Sequence, residues 1–479
     1  MQLKFSRQVF ALLCVGAALL IYVLNPFGVK PEAAVVIAFA TLMIGLWVTE
    51  ALPMPVVALL PLILFPLFGV APIATTAASY ANPVIFLFMG GFMLGLAIEK
   101  WNLHRRIALN IVRLTGTSGD RIILGFIIST GSISMWLSNT ATTMMMFPIA
   151  LSVVKVMEEN HAEKKGMANF AMSIMIAIAL ASNFGGIATI IGTPPNVAYA
   201  GFYNKRYNET IAFADWVLLC MPLSLLLMGI LYLVMVKWLY PNGMKNDAAT
   251  GSIIHSELAA LGPFTLPEKR VFLIFLATAL LWITKDLINK WSPLKLDDNM
   301  IAIMGATALF ITPSGRKNES LLEWSDTRNM AWGILLLFGG GIALATALEN
   351  VGLIQQLGQW FAQFGFSTFM LIFLVTVVSM FISEVMSNVA QVIVFAPVVS
   401  GLAEAAHIHP LLLGIPMTLA ASCASMLPMG TPPNAIAFSS GYIKLKQMTR
   451  IGFIMNIIAV ILITLFCWLL LPLIFPLAL

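Results

Sequence analysis

Long apolar runs, each ended by a short polar or charged stretch, recur along the whole chain. A helix that crosses a bilayer takes about 20 apolar residues. Runs of that kind fall near 9–25, 32–50, 54–70, 83–100, 168–202, 217–239, 271–290, 299–313, 331–350, 411–440 and 452–476, which predicts eleven crossings. Two further apolar segments, Ile122–Val154 and Phe369–Ala403, are longer than one crossing and are interrupted near the middle by Ser-Asn pairs. Each reads either as one long crossing or as a re-entrant hairpin.

Composition turns this pattern into a class. Of the residues, 60% are hydrophobic and 10% charged, and the mean hydropathy is +0.94. A soluble fold carries roughly a quarter of its residues charged, so the chain reads as an all-α integral membrane protein, and soluble enzymes and nucleic-acid binders are excluded. The formal charge of +5 then reports topology, because Lys and Arg concentrate in cytoplasmic loops. With the N-terminus inside and both interrupted segments folded as hairpins, only Lys30, Lys205, Arg206, Lys285, Lys290 and Lys295 of the 26 basic residues fall outside. If both segments crossed, 11 would fall outside, so the hairpin reading is preferred. It puts one hairpin on each side, the N-terminus in the cytoplasm and the C-terminus outside.

The ends and the cysteines refine this slightly. The run Val9–Leu24 follows Lys4 and Arg7 as in a signal peptide, but Leu24-Asn25-Pro26 offers no small-residue cleavage site, so it reads as the first crossing. Cys14, Cys220, Cys423 and Cys467 all lie in apolar runs and read as buried reduced thiols. Short loops and no organelle-targeting extension make a bacterial inner membrane the expected location.

A two-fold repeat supports the hairpins. The stretch Phe86–Glu99 resembles Leu336–Glu349, with the two glutamates 250 positions apart. Ser138-Asn139-Thr140 matches Ser387-Asn388-Val389 at an offset of 249, and Gly192-Thr-Pro-Pro-Asn196 matches Gly430-Thr-Pro-Pro-Asn434 at 238. The order is preserved, and the smaller last offset fits a shorter connection in the second half, Glu404–Pro410 against Lys155–Gly166. Five crossings separate the two hairpins, so the halves are inverted. Inverted repeats with broken apolar segments at matching positions point to the mid-membrane site of a secondary transporter.

Hydroxyls and an amide crowd Thr130–Thr143, a segment otherwise suited to lipid. Each unsatisfied polar group there costs several kcal/mol, so these groups face protein, water or ligand. A hairpin arm of about 15 residues reaches roughly 22 Å, deep into the bilayer. The Pro-Pro pairs remove amide donors and clash with the preceding turn, which unwinds the fifth and tenth crossings and frees carbonyl oxygens. Such carbonyls with Ser and Asn oxygens suit a small hard cation such as sodium, and helix N-termini beside them suit an anion. The pairing describes a coupled symporter. No Lys or Arg lies in either hairpin core, so co-bound cations must offset the anion's charge. Glu50, Glu99 and Glu349 read as helix-end or interfacial residues, Glu384 as a brace of the second hairpin, and His407-Ile-His409 as a solvated loop.

At these motifs the chain resembles the divalent-anion/sodium symporter (DASS) family, carriers of di- and tricarboxylates, over nearly its whole length. The Ser-Asn-Thr tip, Ser387-Asn388-Val389, Leu427–Ile436 and the repeat order carry the likeness. The resemblance implies a homodimer in which a fixed scaffold (1–117 and 243–365) supports a mobile transport domain (118–242 and 366–479) that carries substrate by an elevator motion. It implies one sodium ion at Ser134, Ser138, Asn139 and the backbone of Gly192, and a second at Ser383, Asn388 and the backbones of Met386 and Gly430. Substrate carboxylates would meet Asn139 and Thr140 from one hairpin and Asn388 from the other, beside Val389, with Thr193, Thr431 and Pro432 lining the unwound helices. Two positions depart from the commonest family pattern: Val389 lacks the hydroxyl of a Ser-Asn-Thr motif, although related members share the Val, and Gly430 stands where Ala is common.

The expected function is sodium-coupled import of C4-dicarboxylates such as succinate, malate and fumarate. The alternatives are a cation-independent dicarboxylate exchanger and a sulfate or citrate carrier. An intramembrane enzyme is disfavoured, since neither His-Glu-x-x-His nor Gly-x-Ser-x-Gly occurs, and hairpins from both sides argue against an open channel.

Overall fold

The computed structural model describes residues 7–161, 166–244, 248–293, 295–363 and 365–475. Lys4, part of the charged connection Lys155–Gly166, and the last four residues therefore lie outside the described residues. Among the described residues the fold is helical throughout, with one isolated β-bridge between Pro313 and Ser320. Among the described residues, ten helices are long and apolar enough to cross a membrane. The expected crossing at 54–70 is two short helices, Met54–Ala58 and Leu60–Leu67. Pro61 at the start of the second withholds an amide donor and breaks the run.

The first half contains α1 (Arg7–Leu24), α2 (Pro31–Thr49), α3 (Pro83–Lys100), α4 (Leu103–Thr115), α5 (Gly119–Ser134), α6 (Asn139–His161), α7 (Met167–Gly186), α8 (Pro194–Tyr207) and α9 (Phe213–Tyr232). The second contains α10 (Leu266–Trp291), α11 (Asp298–Ile311), α12 (Trp332–Asn350), α13 (Leu353–Ala362), α14 (Thr368–Ile382), α15 (Asn388–Ala405), α16 (Leu411–Ser422), α17 (Pro432–Phe438) and α18 (Leu445–Leu469).

Hydrogen bonds decide the course of the two interrupted segments. In the first, Ser134 near the end of α5 bonds Ser182 near the end of α7. The starts of the same helices meet at one place: Gly119 N–H donates to Met244 O, and the α-carbons of Gly119 and Gly166 both abut Asn242. Helices α5 and α7 thus run parallel, and α6, which joins them, returns to the side it came from. In the second, Ser379 of α14 and Ser383, which caps that helix, bond the carbonyls of Met417 and Ala421 of α16, an equal step along each chain segment. Helices α14 and α16 are parallel as well, so α15 closes a second hairpin.

Two further helices were not expected from hydropathy, because they are too polar to cross. In α4, Leu103, His104, Ala108, Leu109 and Val112 are buried on one face, with Arg105, Arg106 and Arg113 on the rest. Arg106 pairs with Glu268 and caps the carbonyls of Leu261, Gly262 and Pro263. Helix α13 lies 250 positions later and packs on the returning arm α15, with Gly358 against Gly401. Their apolar faces recur at helical period.

The other polar candidates find ordinary places. Glu50 caps α2 in the left-handed region at φ 48°. His407 is exposed, and His409 accepts a hydrogen bond from Leu411 N–H at 3.3 Å. Burial lowers the pKa of His409, which keeps its ring neutral and able to accept. All four cysteines are free and buried.

Candidate functional site

The hairpin tips form because the chain leaves helical geometry at Met135–Ser138 and again at Ser383–Ser387. At the first tip Ser134 Oγ stands 2.8 Å from Asn139 Oδ1 and 2.8 Å from the carbonyl oxygen of Ser182. A hydroxyl has one proton, so three oxygens converge where one hydrogen bond can be made. At the second tip Ser383 Oγ is 2.7 Å from Asn388 Oδ1 and 2.6 Å from Ala421 O. The same three oxygen types meet in the same arrangement. A small hard cation completes such a set better than a proton does.

The unwound stretches 187–193 and 423–431 supply the facing wall. After each, two prolines occupy the first helical turn, where missing N–H groups cost nothing. The asparagine that follows fastens the break. Asn196 Nδ2 donates to Thr189 O at 2.9 Å and Gly186 O at 3.3 Å, and Asn434 Nδ2 donates to Leu427 O at 3.2 Å and Ala424 O at 3.4 Å. Gly192 is required by close approach: a Cβ there would stand 2.4 Å from Gly186 O, 2.9 Å from Met135 O and 3.0 Å from Ser134 O. At Gly430 a Cβ would be 3.1 Å from the Glu384 carboxylate and 3.3 Å from Leu427 O. An alanine there is a tight fit rather than an impossible one.

Glu384 is the brace expected of it, acting on the unwound stretch. Its Oε1 accepts from the N–H groups of Ser425 at 2.8 Å and Met426 at 2.9 Å and from Asn456 Nδ2 at 2.6 Å, while Oε2 accepts from Leu427 N–H at 3.0 Å. Ser138 is not drawn into the oxygen cluster by any hydrogen bond; its Oγ accepts from Ala141 N–H at 3.3 Å and caps α6.

Asn183, fully buried in α7, ties the halves together. It accepts from Asn139 Nδ2 at 3.5 Å and donates to Thr431 Oγ1 at 3.2 Å and Asn434 Oδ1 at 3.4 Å, and Asn139 Nδ2 also reaches Thr193 Oγ1 at 3.5 Å. The N-termini of α6, α8 and α17 thereby meet near one amide, and their dipoles make an anion-attracting region without a formal charge, in which the prolines leave α8 and α17 no amide donor at their first two positions. Thr140, Asn388 and Val389 are half-buried and Pro432 is exposed. The hydrogen bonds of Asn388 stay within its own half. Asn183 was missed from sequence although Ser182-Asn183 is a third Ser-Asn pair; it sits in an unbroken-looking run, where a buried amide is the only signal. Among the described residues no group of three His, Cys, Asp or Glu stands ready for a transition metal.

The sequence matches the family described as "Sodium:sulfate symporter transmembrane region" over residues 4–475. The sodium-dependent dicarboxylate transporter SdcS of Staphylococcus saprophyticus is 37% identical over 456 residues, covering 94% of this chain and 88% of that protein. SdcS of Staphylococcus aureus strain MRSA252 is 38% identical over 436 residues, covering 89% of this chain and 84% of that protein. Two solved transporter structures share the fold at 13% identity. That of Alcanivorax borkumensis YdaH has a TM-score of 0.61 and covers 93% of this chain and 99% of its own. That of Neisseria gonorrhoeae MtrF, described as illuminating a class of antimetabolite efflux pumps, has a TM-score of 0.56 and covers 83% of each. The chain is a multi-pass membrane transporter, not an enzyme, and belongs to the divalent-anion/sodium symporter family.

Proposed function

We propose that this chain imports a C4-dicarboxylate dianion, of the kind of succinate, malate or fumarate, together with sodium. The observation that carries the reading is the duplicated convergence of a serine hydroxyl, an asparagine carbonyl and a main-chain carbonyl at two hairpin tips. Relatives named as sodium-dependent dicarboxylate transporters support the choice of both cargoes.

One sodium ion is assigned to Ser134, Asn139 and the carbonyls around Gly192, and the other to Ser383, Asn388 and the backbone near Gly430. Ser138 and the backbone of Met386 complete them at the tips. The substrate carboxylates are assigned to Asn139, Thr140 and Asn388 and to the threonines Thr193 and Thr431, with Val389 and Pro432 as apolar walls. Filling both cation sites offsets the dianion's charge, so sodium binds first and substrate after it. Segments 118–242 and 366–479 then move as one unit against 1–117 and 243–365, as an elevator, in a homodimer set in a bacterial inner membrane with the N-terminus in the cytoplasm and the C-terminus outside.

The test is uptake by purified protein in liposomes. Succinate uptake should rise steeply when external potassium is replaced by sodium, and substrate should in turn drive sodium uptake. Equal uptake in both salts removes the coupling. Sulfate, which matches the family's description, belongs in the same panel with citrate; sulfate uptake that outcompetes succinate would replace the cargo and leave the sodium sites in place.

A further inference from the structure

Arg206, in the last turn of α8, is the hub of a buried ion cluster. Its guanidinium is 4% exposed. Nε and Nη2 donate to the two oxygens of Glu404 at 2.9 and 2.8 Å, and Nη1 stands 2.9 Å from Glu349, in ion-pair range but without hydrogen-bond alignment. Tyr207 Oη donates to Glu404 at 2.6 Å. Glu404 closes the second hairpin on the same moving unit as Arg206, whereas Glu349 ends α12 and belongs to the frame. The fork to Glu404 therefore orients the guanidinium, and a single contact crosses the boundary. Breaking that contact leaves the arginine still paired, which is what a reversible latch needs.

The repeat supplies a counterpart at the other end. Glu99 occupies the position of Glu349 at an offset of 250, and Lys444 that of Arg206 at 238. Among the described residues, both are exposed and neither is in an ion pair. Glu99 instead lines a cavity of about 90 Å³ between α3 and the first hairpin tip, together with Trp136, Leu137 and Ser138. The packing is lopsided in the same sense: α8 rests on α15 and α16 and also on α12 and α3, whereas α17, its repeat partner, rests on the equivalent α6 and α7 without a comparable contact to α3 or α12 among the described residues. When two inverted copies differ in conformation, exchanging their conformations generates the opposite end state.

We propose that Arg206–Glu349 is the latch of the end state seen here and that Lys444 closes onto Glu99 in the opposite one. The inference rests on the moving-unit reading given above. A lysine offers a compact, strongly hydrated charge in place of a bidentate fork, so the opposite state is held less firmly.

The experiment is cysteine cross-linking in liposomes with copper-phenanthroline as oxidant, read by gel mobility. The native cysteines are buried and give a low background. The pair E99C/K444C should cross-link during incubation with sodium and succinate, block uptake, and recover on reduction. The pair R206C/E349C, whose native side chains touch in this state, controls for folding and reagent access, and both pairs are also treated with a short reducible bifunctional methanethiosulfonate, because the length of the arginine separates the two backbones beyond a direct disulfide. Adding Glu349→Gln to the E99C/K444C pair should raise the cross-linking rate about tenfold, the effect of losing one partly buried charge contact. If the control pair cross-links and the 99–444 pair does not under any salt or substrate condition, the exchange is wrong. If Glu349→Gln leaves the rate unchanged, Glu349 is structural and not a latch. Because the gel readout needs no particular cargo, failure of sodium-driven succinate uptake would count against the functional reading and not against this one.

Discussion

The two hairpin tips share their oxygen clusters bond for bond, yet they are braced in opposite directions. At the first tip the unwound stretch reaches out: Thr189 Oγ1 donates to the carbonyl of Met135 at 2.5 Å. At the second the tip reaches out: Glu384, the residue 249 positions after Met135, collects three N–H groups of the unwound stretch and the amide of Asn456. The join is also one-sided, since Asn183 belongs to the first half, and Ser422, which follows Ala421 as Asn183 follows Ser182 in the oxygen clusters, has a buried hydroxyl with no partner among the described residues. A duplicated site thus keeps the atoms that would hold a cation and lets the supports diverge. The lesson is that ligand geometry constrains a repeat more tightly than the means of holding it.

Glu384→Ala should show the largest difference between the halves. It strands three donors, the N–H groups of Met426 and Leu427 and the amide of Asn456, while Ser425 N–H keeps Asn456 Oδ1 as an acceptor at 3.1 Å; at about 1 kcal/mol or more each, unfolding stability should drop by about 3 kcal/mol. Thr189→Val, which removes the hydroxyl brace of the first half, should cost about 1 kcal/mol. Thermal unfolding in detergent compares them, and equal losses would erase the distinction. For transport, Asn139→Ala and Asn388→Ala should each lower sodium-dependent uptake by roughly 100-fold, the upper range for one contact to a charged group, while the protein still inserts. A defect confined to one of the two would show that the cations are not held equivalently. Asn183→Ser, which copies the second half onto the first, should weaken apparent sodium affinity by about tenfold, measured as the sodium concentration for half-maximal uptake. The smallest effect belongs to the caps. Ser138→Ala should cost about 1 kcal/mol of stability, whereas Ser387, which caps no backbone amide through its side chain, should be nearly silent as Ser387→Ala.

Much of this was legible along the chain because the constraints are local. Ser138-Asn139 and Ser387-Asn388 stand out as polar groups in lipid-soluble sequence, and Gly-Thr-Pro-Pro-Asn marks each break through the chemistry of proline. The amphipathic helices α4 and α13 escaped a hydropathy reading because only one face of each is apolar. Asn183 and the acceptor role of Glu384 escaped because their partners lie 248 and about 40 residues away, at Thr431 and at Ser425–Leu427. The role of Asn196 and Asn434 as clamps across each break was likewise invisible until the break had a shape.

The sequence by itself determined that this protein lives in a bilayer, that it is built twice, and where each copy is broken, because burial of apolar length and the missing amide of proline act within a few residues. Only the tertiary structure decided that α5 and α7, and α14 and α16, run parallel, that one amide in α7 joins the two breaks, and that Arg206 rather than Lys444 is paired, with Glu349 of α12. Those outcomes depend on which of two alike halves packs against which neighbour, and an internal repeat leaves that choice open until the whole chain is assembled.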